Sequence, residues 1–240
     1  MRTTRSTAAL IAVALLALVG CGDDDEPDAT TTTTSTTSTT VDTTTSTTAP
    51  AGLEQPAIWP AADVVFDTPE EAAEDFVSEA LGVPPVLGDF QQGDARSGEL
   101  DVLSPGEGAS PTSVVRGRLL LRQLGPDDGW FVVSAVNANA SITTPDAGSD
   151  VPAAPLTVTG QARGFEANVV VRALVAGDAS AELDQVVTTG GAMEAPEPYT
   201  VTLDLADAEP GQVVALLVRG GTGLETDPGD FGAVPVTIGA

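Results

Sequence analysis

Histidine and lysine are absent from this 240-residue sequence, and cysteine and tyrosine each occur once. Without histidine or lysine the chain cannot build a Ser-His-Asp triad, a Cys-His pair, a Ser-Lys dyad or a phosphate loop. A single cysteine forms no disulfide within the chain, and with no histidine beside it no zinc site either, so packing alone must hold the folded parts. Positive charge is scarce: nine basic residues, all arginine, stand against 35 acidic ones, a net charge of −26. Such a surface repels phosphate backbones, which excludes nucleic acid as a partner. It also repels anionic lipid, so charge would not hold the protein at a membrane. The longest apolar run, Ala8 to Val19, is too short to span about 30 Å of hydrocarbon. No cofactor or metal is expected. The loop Glu225-Thr226-Asp227-Pro228-Gly229-Asp230 offers oxygen ligands for calcium, but its spacing is not that of an EF-hand, and it reads as a plain acidic loop.

The same short apolar run, preceded by Arg2 and Arg5, fits a signal peptide over residues 1–20. At its end, Leu18-Val19-Gly20-Cys21 resembles the bacterial lipobox. That resemblance implies a diacylglyceryl group on the Cys21 thiol, cleavage just before it, and palmitate-type acyl chains in the cell membrane with the protein facing outside the cytoplasm. Two acyl chains suffice for durable anchoring where one does not. Residues 21–55 follow as a stalk, with Thr30 to Thr48 almost wholly Thr and Ser. With no large apolar residue except Val41, this stretch is expected to be an extended tether.

Residues 56–140 read as a small α+β domain, one helix on an antiparallel sheet. Thr68-Pro69-Glu70-Glu71 is a helix start with a capping box. Ala72, Ala73, Phe76, Val77, Ala80 and Leu81 recur at helical spacing, and Gly82 with Pro84-Pro85 ends the helix. Short strands are expected at Phe90 to Gln92 and Gly98 to Leu103. A hairpin is expected from Ser113 to Leu124 and Trp130 to Val136 around Gly125-Pro126-Asp127-Asp128-Gly129. Arg116, Arg118 and Arg122 then share one strand face. They form either an anion-binding face or a solvated face paired with neighbouring carboxylates.

Residues 141–240 show no helical period. Strands are expected at Leu156–Gly160, Phe165–Val175, Glu182–Thr188, Tyr199–Leu205, Gln212–Arg219 and Val234–Ile238, with a further one near Ile142. Alternation along them predicts an all-β immunoglobulin-like sandwich that folds alone. Phe165 leads the inward set Phe165, Ala167, Val169, Val171, Ala173 and is expected to be a core anchor. Glu166, Asn168 and Arg172 face the other way. Pro235 predicts an edge position for the last strand.

Pro155-Leu156-Thr157-Val158-Thr159-Gly160-Gln161-Ala162, followed by Phe165-Glu166-Ala167-Asn168-Val169, resembles the opening of the spore-germination immunoglobulin-like family, Gmad2. The resemblance implies an extracytoplasmic binding or adaptor module and transfers no catalytic residue. The function expected is therefore a membrane-anchored, non-catalytic module for a protein or cell-envelope ligand. The alternative is an enzyme that uses paired carboxylates on envelope glycan.

Overall fold

In the computed structural model, which describes residues 52–105 and 113–239, Thr68 caps helix α1 (Pro69–Glu79). Its hydroxyl accepts the Glu71 N–H and the Glu71 carboxylate accepts the Thr68 N–H, each at 3.2 Å. Pro69 sits in the first turn, where no N–H is needed. Ala72, Ala73, Phe76, Val77, Ala80 and Leu81 are buried along one stripe. The chain leaves through Gly82 at φ +67°, a conformation that disfavours any side chain. The last turn has no basic residue of its own. Arg172 and Arg219, from distant strands, supply it: their Nη1 atoms donate to the carbonyls of Ala80 and Leu81 at 3.2 and 2.8 Å. Cations are favoured at that end of a helix. No helix among the described residues is long and apolar enough to cross a membrane. Leu18, Val19, Gly20 and Cys21, with the Thr-rich stretch, lie outside the described residues.

The described part is otherwise mostly β-sheet. The strands are β1 (Gln91–Gln92), β2 (Ser97–Leu103), β3 (Val115–Leu124), β4 (Gly129–Val136), β5 (Ala140–Thr144), β6 (Asp150–Val151), β7 (Leu156–Ala162), β8 (Asn168–Val175), β9 (Glu182–Thr189), β10 (Glu197–Leu203), β11 (Val213–Gly220) and β12 (Asp230–Ile238). One nine-stranded sheet runs β1-β2-β3-β4-β12-β11-β8-β9, with β6 also on β12, and a three-stranded sheet runs β10-β7-β5. The β3–β4 hairpin forms where its turn residues place it, with Asp128 at φ 52°.

The small sheet lies over one face of β12, β11 and β8, and the helix over the other. Val158, Tyr199, Val201 and Leu203 of the small sheet meet Val169, Val171, Val214, Leu216, Val218, Val236 and Ile238 in one core. On the opposite face, Leu174, Ala215, Leu217, Phe231 and Ala233 join the helix residues and Leu100, Leu119 and Val132 in a second core. Strands buried on both faces read as continuous apolar runs, which accounts for Val213-Val214-Ala215-Leu216-Leu217-Val218. It also moves Arg172 from the expected solvent face to the helix side, where it reaches the Ala80 carbonyl.

Pro235 does not mark an edge. Strand β12 is central, with β11 on one side and β4 and β6 on the other. Pro235 lies opposite Ala215, but two residues on, the Thr237 N–H donates to Ser149 and not to β11. The backbone nitrogens of this parity therefore point away from β11. On that side Pro235 falls between the contact of Ala233 with β4 and the pairing of Thr237 with β6. No ladder bond is lost there, so the usual restriction of proline to edge strands does not apply. The large sheet also runs through the boundary expected at residue 140, by way of Ala233 and Ala135. All described residues fall in one compact unit, Thr48–Ala240.

Candidate functional site

Three turns meet at one end of the sandwich: Arg163–Ala167 between β7 and β8, Gly190–Pro196 between β9 and β10, and Gly221–Gly229 between β11 and β12. Backbone bonds stitch them together. Phe165 N–H donates to Gly221 at 2.7 Å, Gly164 N–H to Gly191 at 3.0 Å, and Gly190 N–H to Ala167 at 2.9 Å. The approach is so close that a Cβ on Gly220 would run into the Arg163 carbonyl oxygen.

Phe165 is not a core anchor: it is 51% exposed. The strand begins only at Asn168, and Phe165–Ala167 form a single 3-10 turn. The inward parity is real for Val169, Val171 and Ala173, which are buried, but it stops where the strand stops. Glu166 and Ala167 take φ values of 53° and 60°. Each such non-glycine residue costs on the order of 1–3 kcal/mol and persists only when its surroundings enforce it. The turn sets the Phe165 ring beside Gly223. Leu224 (42%) and Met193 (39%) are exposed on the two neighbouring turns. Glu166, Glu194 and Glu225 are exposed on the same three turns.

Beneath this surface lies a buried ionic cluster. Asp227 and Asp230 are 3% and 2% exposed. Arg116 Nη2 donates to Asp227 at 2.7 Å and Arg163 Nε to Asp230 at 2.8 Å, while Arg116 Nη1 lies 3.9 Å from Asp230. Asp227 also accepts the Gly229 N–H at 2.8 Å. Arg163 Nη1 donates to the Met193 carbonyl at 2.9 Å. Arg219 donates to the Pro228 and Asp227 carbonyls, and burial lowers the pKa of its guanidinium from the ordinary arginine value. Buried charges need such pairing. The acidic loop thus uses Asp227 and Asp230 as anchors for arginines on other elements.

The three arginines of β3 have separate surroundings. Arg116 joins that cluster. Arg118 bonds Asp101 at 2.7 Å and Glu99 at 3.0 Å, and Asp101 above all raises its pKa. Arg122 is exposed and makes no ion pair among the described residues. Carboxylates occupy two of these three cations. A cleft of about 510 Å³ lined by Leu53, Pro56, Val175 and Val213 contains one carboxylate, Glu54. The Gly125 N–H, 2.8 Å away, holds that carboxyl below its usual range. A hollow of about 550 Å³ beside α1 gathers Asp67, Glu71, Glu74, Asp75 and Glu79. Asp75 in it accepts the Trp59 indole N–H at 2.7 Å.

The two sheets that enclose the sandwich core define an immunoglobulin-like module. Residues 139–219 match the family described as the immunoglobulin-like domain of bacterial spore germination. The match covers less than half of the chain and stops before β12. That domain type is non-catalytic. No curated protein and no solved structure matches the chain.

Proposed function

We propose that the protein is a lipoprotein anchored through Cys21 in the cell membrane and facing outside the cytoplasm. Its β-rich body acts as a non-catalytic binding or adaptor module for a protein or cell-envelope ligand. The observation that carries this reading is the Phe165 turn. An aromatic ring is held half in solvent by two left-handed residues, next to exposed Met193 and Leu224. Strain of this kind concentrates at functional positions, and aromatic residues and methionine are enriched at interfaces relative to the rest of a protein surface. The immunoglobulin-like match supports a binding role.

Two substitutions test the two halves of the proposal. Cys21→Ser should abolish acylation, because serine is a far weaker nucleophile than a thiol. Wild type should partition into detergent with acyl mass on Cys21. A soluble, unacylated wild type would remove the anchor. Phe165→Ala should leave the melting temperature unchanged, whereas a core Phe→Ala substitution costs about 3–5 kcal/mol. Crosslinking in native membranes should lose its partner bands in this variant. An identical pattern would remove the turn from the interface.

A further inference from the structure

Among the described residues five strands have a free side, and four of them are protected. Strands β1 and β6 are only two residues long. Strand β10 carries Pro198, and β5 is broken by a register shift and followed by Pro145. Short length, proline and irregularity are the usual devices that keep an edge from pairing. Strand β9 lacks them from Gln185 to Thr189, where its register against β8 is regular. It has neither proline nor a basic residue.

The direction of its backbone groups follows from its end. Gly190 N–H donates inward to Ala167, so by the alternation of an antiparallel ladder Val187 and Thr189 point their N–H and C=O groups outward. The Gln185 N–H, also outward, is taken by the Asp184 carboxylate at 2.8 Å. The carbonyl of Gln185 and both groups of Val187 and of Thr189 have no partner among the described residues. Val187, paired across the strand with Val170, is 62% exposed, the most of any large apolar side chain described.

We infer that β9 is a docking edge that takes an extended, cationic segment of a partner protein as an added strand. Main-chain bonds to Val187 and Thr189 would give affinity, and alternate side chains would give specificity. An apolar side chain of the incoming strand packs beside Val187, and basic side chains are favoured by the net charge of −26. At the start of β9, Glu182 already pairs with Arg172, and Asp184 accepts the Gln185 and Asp204 N–H groups. A second copy of this chain is the poorer occupant, because its own β9 brings the same two acids and no cation, on a body of net charge −26.

The probe is a short peptide alternating valine and lysine, with a valine–glutamate peptide as control, added to the full chain. Amide hydrogen exchange at Val187 and Thr189 should slow with the first peptide and not with the second. Val187→Pro removes an outward donor only, so it should keep the melting temperature and weaken binding at least about tenfold. If that variant melts lower, Val187→Lys replaces it, keeping the backbone while repelling the cationic strand, with the same loss expected. Phe165→Ala should not change peptide binding, which separates this edge from the turn surface. The inference is overturned by absent protection with the lysine peptide, by equal protection with both peptides, or by unchanged binding in the β9 variants. Self-association that the β9 variants remove, without peptide binding, would assign the edge to a second copy instead.

Discussion

Tyr199 is the single tyrosine of the chain and is 4% exposed. Its hydroxyl donates to the Ser141 carbonyl at 3.1 Å, and burial pushes the phenol above its ordinary value of 10.0. The folded state therefore favours the neutral form. That contribution is fully present below pH 10 and is lost as the pH rises through the folded value. Tyrosinate absorbance of the folded protein should appear only well above pH 10, and together with unfolding. Titration near pH 10 with the fold intact would place the ring in water. The alternation Tyr199, Val201, Leu203 made this burial legible in the sequence. The same rule fails at Phe165, because period two says which residues share a face but not where a strand begins. Gly164 before it and the left-handed Glu166 and Ala167 end the pattern, and only Gly164 leaves a mark in the sequence. The buried pairs of Arg116 and Arg163 with Asp227 and Asp230 join positions far apart in the chain. Spacing within a strand could not have revealed them.

The helix was legible down to its cap because all of its signals are local. Thr68→Ala should remove the bond to Glu71 N–H and destabilise by about 1 kcal/mol in denaturant unfolding, while Thr68→Ser should restore it. No loss in the alanine variant would mean that the packing of Ala72, Phe76 and Val77 alone sets the helix start. The strands were legible to within a few residues, but their neighbours were not. Pro235 misleads as an edge signal because proline costs a ladder bond only on the side where its nitrogen points, and the sequence does not state that side. The apolar run Val213–Val218 announced a strand. That both of its faces are covered, by a helix on one side and a sheet on the other, depends on chain segments before and after it.

The two halves of the described chain share one sheet and one helix, and this bears on whether the sandwich folds by itself. A fragment from Ser141 to Ala240 keeps the core between the sheets but strips α1 and β4 from the other face. Leu174, Leu217 and Phe231, now buried, would meet water. At roughly 1.5–3 kcal/mol per large side chain, the three together cost about 4.5–9 kcal/mol, comparable with the 5–15 kcal/mol of a typical folded domain. Asp227 and Asp230 would also lose Arg116, and Arg219 would lose the Leu81 carbonyl. The family match over residues 139–219 leaves out β12, yet β12 supplies Val236 and Ile238 to the sandwich core and Phe231 to the helix side. The fragment is therefore expected to melt without cooperativity, or far below the chain from Gly52 to Ala240, in circular dichroism. A cooperative transition at the same temperature would show that the helix rests on the sandwich without stabilising it, and that residues 141–240 are independent after all.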